Sequence, residues 1–199
     1  QGFAVDCQTW GLLTLGAQKF DQYYPKTSAY NVWQKTKKLA GYFIDGKIAG
    51  VGYTTPVENK TVANDIWSGE WTWGAIFMTR RLARDYARLG KADWSQSLQA
   101  DASSMLKFMN SSVVACEDGV WCKGGLVQVD GSYLYANKRF FIPWGWYANP
   151  IGATSSTGWA VFSNFNYNPF VLGGTFYNTT FGLPSFWEIQ CKNNTPPPG

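Results

Sequence analysis

The sequence predicts a mainly α-helical protein made of helix pairs with two β-hairpins set between them. Apolar residues step by three and four through five segments, and two Asp-Gly pairs stand between apolar arms. The third observation is size. At 199 residues and 45% hydrophobic content the chain has enough apolar surface for one core, so residues 1–192 are expected to form a single domain.

The first helix is expected from Asp6 through Cys7, Trp10, Leu13 and Ala17, with Asp6 as N-cap and Gly16 near its end. Thr27 or Ser28 opens a second, in which Tyr30, Val32 and Trp33 are apolar and lysines follow. GYFIDGKIAGVGYT then reads as a hairpin, because Asp45-Gly46 can take the positive φ values of a type I′ turn. The strongest helical period runs from Gly69 to Leu89, with Ile76, Phe77, Ala83 and Tyr86 as its bulk. Its arginines, Arg80, Arg81, Arg84 and Arg88, have the spacing of a solvated helix face. Asp93 is placed as the cap of the next helix, where Trp94, Leu98, Ala102, Met105 and Met109 form an apolar stripe. LVQVDGSYLYA repeats the hairpin pattern around Asp130-Gly131, and a short helix follows from Ser156 through Trp159 and Ala160 to Phe162. Asn168-Pro169 ends that pattern, and residues 193–199, NNTPPPG, read as a proline-rich tail or linker stub.

Composition narrows the chemistry. There is no histidine, so histidine-based nucleophile systems, histidine zinc sites and imidazole proton shuttles are excluded, and acid-base work falls to carboxylates, Tyr, Lys or Cys. No cofactor or metal is implied, because the chain carries no dinucleotide fingerprint, P-loop or EF-hand loop. The net charge of +4 is scattered, which argues against a nucleic-acid partner, and no stretch approaches the ~18 consecutive apolar residues of a membrane span. The chain starts without a signal-like segment, as expected of a processed chain or a piece of a longer one.

Cysteines and sequons point to an oxidising compartment. Cys116 and Cys122 flank a turn-like EDGVW and are paired locally, which pairs Cys7 with Cys191. Acceptor sequons occur at Asn59, Asn110, Asn178 and Asn193. Together they predict a secreted, disulfide-bonded glycoprotein carrying N-glycans.

Of the 13 acidic residues, nine lie in turns, caps or polar helix faces, leaving Asp6, Asp65, Glu70 and Glu188. Glu70 is the most informative, since it starts the strongest helix with Trp67, Trp71 and Trp73 around it. Aromatic walls raise a carboxyl pKa by desolvation, the property a general acid for glycosidic cleavage needs, while the helix N-terminus opposes the shift. Asp6, also at a helix start and near Trp10, is the natural second carboxylate. Residues 133–160 then pack rings among Gly, Pro and Asn. Sugars stack their C–H faces on rings while amides and charges bond the hydroxyls. The expected saccharide-binding residues are therefore Trp10, Trp71, Trp73, Asn137, Lys138, Trp144, Trp146, Tyr147, Asn149 and Trp159.

VDCQTWGLLTLG, SGEWTWGAIFMTRRLA and YANKRFFIPWGWYANPIGATSSTGWAVFSNFNYNPFVLGG resemble segments of (α/α)6 six-hairpin glycosidase-like proteins. The resemblance touches about half the chain. It implies a toroid of helical hairpins, a carbohydrate-active protein and carboxylates at inner-helix ends, positions matched here by Asp6 and Glu70. A complete toroid of about twelve helices would take roughly 144 positions in helices of ~12 residues. The implied object is therefore a partial or half toroid, the later half of such a ring, with a seam that a partner chain or an upstream half would complete. The implied activity is hydrolysis of a polysaccharide by a carboxylate pair. The alternatives are a non-catalytic carbohydrate-binding or structural glycoprotein, and a subunit of an extracellular assembly.

Overall fold

The computed structural model describes residues 2–56 and 64–170, and the backbone of 175–176. Among these residues the protein is mainly α, with five helices and four two-stranded antiparallel sheets. The helices are α1 (Val5–Tyr23), α2 (Ala29–Ala40), α3 (Gly69–Arg88), α4 (Ala92–Met109) and α5 (Thr154–Asn164). The strands pair in sequence order: β1 (Gly41–Ile44) with β2 (Lys47–Val51), β3 (Val113–Glu117) with β4 (Trp121–Gly124), β5 (Phe140–Ile142) with β6 (Trp146–Ala148), and β7 (Tyr167–Asn168) with β8 (Thr175–Phe176). No described helix is long and apolar enough to cross a membrane.

Several helix starts follow directly from local chemistry. Ser28 accepts a hydrogen bond from the Asn31 N–H at 3.1 Å, and Ser68 accepts one from the Trp71 N–H at 3.2 Å; each satisfies an N–H that the first helical turn leaves unpaired. Asp6 lies inside α1, whose N-cap is Ala4, and Asp93 lies in the first turn of α4, whose N-cap is Lys91. Both carboxylates act there as first-turn anions rather than caps. Gly16 interrupts α1 at φ +75°, and a Cβ there would lie 2.7 Å from the Asp85 carboxylate. The break frees the Ala17 N–H, which bonds to Asp85 Oδ2 at 2.9 Å and ties α1 to α3.

Side-chain contacts fix the helix directions. Trp10 lies on Gly74, Arg81 donates to the Leu13 carbonyl, and Ala17 bonds Asp85, so α1 and α3 advance together and run parallel. Ser156 approaches Gly69, Trp159 meets Phe77 and Ser163 accepts from Arg80, so α5 also runs parallel to α3. The short Leu89–Lys91 turn sends α4 back antiparallel, and Trp33 and Lys37 both bond Asp101, which sets α2 alongside α4. The N-termini of α1, α3 and α5 therefore share one end of the protein.

The core centres on α3, where thirteen of twenty residues are buried. Its arginines do not form the solvated face expected of them. Arg80 and Arg81 are half-buried and bond α5 and α1, because helices flank α3 on both sides; only Arg88, in the last turn, is exposed. Trp33, Trp67, Trp73, Tyr53, Tyr86 and Phe77 are the largest wholly buried side chains.

Asp45 and Gly46 take φ values of +49° and +72°, and the β1–β2 hairpin forms around them. The second expected hairpin forms without regular strands: the Gly131 N–H bonds the Gln128 carbonyl at 2.9 Å, and across the arms the Gln128 N–H bonds the Ser132 carbonyl and the Leu134 N–H the Leu126 carbonyl, each at 2.9 Å, with Val127 bridging Tyr133. The second arm also pairs on its far side, Leu134 bridging Gly152 and Ala136 bridging Ser68, and both residues are buried. The Cys116–Cys122 disulfide is present and sits at directly opposed positions of β3 and β4. Cys7 is exposed, and its expected partner Cys191 lies outside the described residues, as do Glu188, Asn59, Asn178, Asn193 and the 193–199 tail.

Candidate functional site

At the shared N-terminal end of α1, α3 and α5 the chain gathers Asp6, Glu70 and Ser155, one from the first turn of each helix. Two backbone links hold this end together. The Val5 N–H bonds the Tyr53 carbonyl at 3.0 Å, and the Gly69 N–H bonds the Tyr135 carbonyl at 2.9 Å. The second link requires glycine, because a Cβ at Gly69 would sit 2.1 Å from the Leu134 carbonyl. The strand-like segment 134–136 thereby passes across the start of α3, one residue from Glu70.

The Glu70 carboxyl is half-buried and its pKa is raised above the usual carboxylate range. Desolvation is the largest cause, the Asp6 charge adds to it, and a hydrogen bond with the Ser155 hydroxyl opposes it. Burial thus outweighs that bond. The two carboxylates singled out in the sequence, 64 positions apart, share one electrostatic environment. Asp6 also accepts a hydrogen bond from the Cys7 N–H at 2.8 Å.

Rings wall this end. Trp10 meets Trp71 edge-on at 6.5 Å and stacks on Trp159 at 5.9 Å; Trp71 stacks on Trp144 at 6.1 Å, and Trp144 meets Trp146 at 6.4 Å. Burial grades along this series. Trp71 and Trp159 are buried, whereas Trp144 and Trp146 are 40% and 41% exposed at the β5–β6 turn. Phe170 packs on both Trp10 and Trp159, extending the wall. Such a graded series offers flat apolar faces next to acids, a surface suited to stacking sugar rings.

The other expected binding residues are used differently. Trp73, 0% exposed, points into the core and meets Tyr133 edge-on, because its position falls on the opposite side of α3 from the wall. Asn137 is 3% exposed and its carboxamide is taken up by backbone, accepting from the Trp67 N–H at 2.7 Å and donating to the Asp65 carbonyl at 3.0 Å. Lys138 pairs with Asp65. Tyr147 is exposed with Arg139 over its ring at 4.7 Å, packed on Phe141 rather than on the tryptophan series. Asn149 is half-buried beside β6.

Two residues that sequence reasoning left out belong to this end. Tyr53 is wholly buried; its hydroxyl donates to the Tyr135 carbonyl at 3.2 Å and its ring meets Trp71 edge-on at 4.8 Å. Tyr135 is half-buried, and its Oη accepts the Trp146 indole N–H at 3.2 Å. Burial is the largest cause raising the phenol pKa of each, and the Glu70 charge contributes to both. Neither has a local sequence signal, since the contacts join segments 82 positions apart.

A cavity of about 640 Å³ lined by Gln128, Asp130, Ser132, Thr154 and Thr157 lies on the other face of α5, and neither Glu70 nor Asp6 lines it. Among the described residues no group of three or more His, Cys, Asp or Glu side chains is placed to hold a metal ion. Comparison with models of protein families, with curated proteins and with solved structures gave no match.

Proposed function

We propose that this protein is a secreted carbohydrate-active glycoprotein that hydrolyses glycosidic bonds in a polysaccharide with the pair Glu70 and Asp6. One observation carries the reading: a half-buried glutamate, its pKa raised by desolvation and by a second carboxylate, stands beside exposed tryptophans at one end of three parallel helices. In this reading Glu70, its pKa raised by burial, gives its proton to the leaving glycosidic oxygen as the C–O bond breaks. Asp6 either takes a proton from the attacking water or acts as the second carboxylate on the opposite face of the sugar, and the carboxyl separation decides between inversion and retention. The reading is that α1, α3 and α5 are inner helices of a partial (α/α)6-type toroid and that α2 and α4 are their hairpin partners; the alternating directions support it. A partner chain or an upstream half would complete the ring.

The disulfide supports an oxidising compartment. Asn110, exposed at the end of α4 with its Oδ1 accepting from the Tyr133 hydroxyl at 3.0 Å, supports a surface glycan on the amide nitrogen. The exposure of Trp144 and Trp146 also favours a second reading, a carbohydrate-binding protein without turnover, because ring stacking does not depend on the carboxylates. A panel of polysaccharides given to the protein from its native source decides between the two. Release of reducing ends, abolished in Glu70→Gln, supports hydrolysis; binding without release supports the binding protein.

A further inference from the structure

We propose that Tyr135 is a further substrate-contacting residue of this site, its phenolic O–H donating to a sugar hydroxyl beside Glu70 and Asp6. The inference rests on the hydrolytic reading above and extends it to a residue that no sequence signal identified.

Three features of the geometry support it. The backbone of Tyr135 is fixed from both sides: its N–H bonds the Ile151 carbonyl at 2.8 Å, and its carbonyl accepts from the Gly69 N–H at 2.9 Å and the Tyr53 hydroxyl at 3.2 Å. Its ring is thus anchored to the first residue of the helix that carries Glu70. The phenol oxygen, in turn, already accepts a hydrogen bond from the Trp146 indole N–H. A hydroxyl has one proton and two acceptor positions; the indole N–H fills one of these, the Tyr53 side chain bonds this phenol as well, and the proton is given to the sugar where Tyr53 stays on the donor side. Finally, the ring is half-buried and the Trp146 that holds it is exposed, so the oxygen lies at the boundary between the aromatic wall and solvent. Both carboxylate charges reach this phenol, and burial together with those charges keeps it protonated, as a donor must be.

Positive charge developing on the sugar ring in the transition state makes its hydroxyls poorer acceptors, so a bond donated to one of them is made in the bound substrate and gains nothing at the transition state. Tyr135 is therefore expected to affect substrate binding more than the chemical step. Trp146 acts on Tyr135 as a positioning residue as well as offering its own face.

The test compares wild type, Tyr135→Phe and Trp146→Phe in oligosaccharide binding, in turnover and in thermal unfolding. Tyr135→Phe keeps the ring and removes only the oxygen, and is expected to weaken oligosaccharide binding and raise KM about tenfold, with kcat changed by less than about threefold. Trp146→Phe keeps an aromatic face but loses the N–H, and is expected to give a smaller rise in KM. If Tyr135→Phe binds oligosaccharide and turns it over with the KM of wild type, the proposal fails and the hydrolytic reading stands. If wild type binds oligosaccharide without hydrolysing it, the hydrolytic reading fails and affinity decides Tyr135: at least about tenfold weaker binding in Tyr135→Phe supports the contact, unchanged binding overturns it. If the two variants lose midpoint temperature and activity in step, so that the activity of the folded fraction is that of wild type, the bond is structural and the proposal is overturned.

Discussion

The helical layer and the segment from 111 to 153 are built on opposite principles, and the candidate site takes one half of its chemistry from each. α3 is buried along most of its length and its neighbours hold it through packing and half-buried polar bonds, so Glu70 stands on a rigid support. The 111–153 segment has two short hairpins, isolated bridges and exposed rings; it is held by a disulfide and by scattered backbone bonds such as the Cys122 N–H to the Asn137 carbonyl at 2.6 Å. The helical layer can place a carboxyl at a fixed depth, where desolvation tunes it. The irregular segment can leave Trp144 and Trp146 exposed, because its own order does not depend on burying them.

The largest expected effect separates function from stability within the helical layer. Glu70→Gln keeps shape and hydrogen bonding but delivers no proton, so turnover is expected to fall by about 10² to 10⁴, with oligosaccharide affinity nearly retained. Stability should move the other way. With the native pKa raised, the folded protein binds more protons than the unfolded chain between the unfolded and folded pKa values of Glu70. Stability is then fully present below the unfolded pKa and declines as pH rises through the folded one. Gln does not titrate, so above that window Glu70→Gln is expected to unfold at a temperature equal to or higher than wild type. A lower midpoint at neutral pH would mean that the glutamate serves the fold.

The same substitution at two tryptophans sharpens the contrast next. Trp73→Ala empties a wholly buried position and is expected to destabilise by about 3–5 kcal/mol, whatever ligand is present. Trp144→Ala removes a partly exposed ring and is expected to weaken oligosaccharide binding by roughly 1–3 kcal/mol with little change in chemical denaturation. Matching denaturation midpoints for the two variants would erase the distinction between core and platform.

How much of this was legible in the sequence follows the same division. The α3 period and the Ser28 cap lie in local spacing, and so does the Asp45-Gly46 turn, because each depends on residues within a few positions. The raised pKa of Glu70 has the direction expected of it, with burial as its largest cause, but Trp73 does not supply that burial from the far side of α3. Trp73 was misplaced because sequence proximity to Glu70 says nothing about which side of α3 a residue occupies; its apolar neighbours Ile76 and Phe77 were the available signal. The β3–β4 and β5–β6 hairpins escaped attention although the signals were present: cysteines six apart are directly opposed in a hairpin, and Pro143-Trp144-Gly145 separates two aromatic arms, with Gly145 at φ +113°. Tyr53 was not legible, as its partners come from distant segments; Tyr135 stands in the ring-rich 133–160 segment with its partner Trp146, but nothing local sets it apart from the other rings there. Asn137 looked like a sugar ligand and serves as a backbone brace, a role that only the tertiary path of 64–67 creates.

Breaking the covalent tie of the irregular segment has a smaller, local effect. Replacing Cys116 and Cys122 by Ser opens a loop with a sequence separation of 6, and the loop-entropy relation gives about 2 kcal/mol for so short a ring. Because β4 bridges Lys138 through Trp121, the loosening should reach the β5–β6 hairpin before it reaches α3. Amide exchange is expected to rise across 113–148 while the α3 amides stay protected; uniform loss of protection would show that the two regions unfold as one.

The smallest effect belongs to Lys138, and it asks whether charge at the border of the two regions serves the cleft at all. Its ammonium pairs with Asp65, with side-chain exposures of 25% and 51%, in the range where screening and side-chain entropy leave an ion pair worth no more than about 1 kcal/mol. Lys138→Ala is therefore expected to shift the unfolding midpoint only slightly. Its effect on sugar affinity depends on whether the pair persists when ligand is bound. If Asp65 retains the lysine, affinity is unchanged in Lys138→Ala and in Asp65→Ala alike. If the lysine leaves Asp65 to bond a sugar hydroxyl, Asp65→Ala frees it and tightens binding, while Lys138→Ala weakens it. Measuring both variants by titration calorimetry at two salt concentrations separates these cases, because the Asp65 pair is screened by salt and a neutral sugar contact is much less so. A structural pair predicts affinities insensitive to either substitution, and that outcome would move the edge of the binding surface back to Trp144 and Trp146.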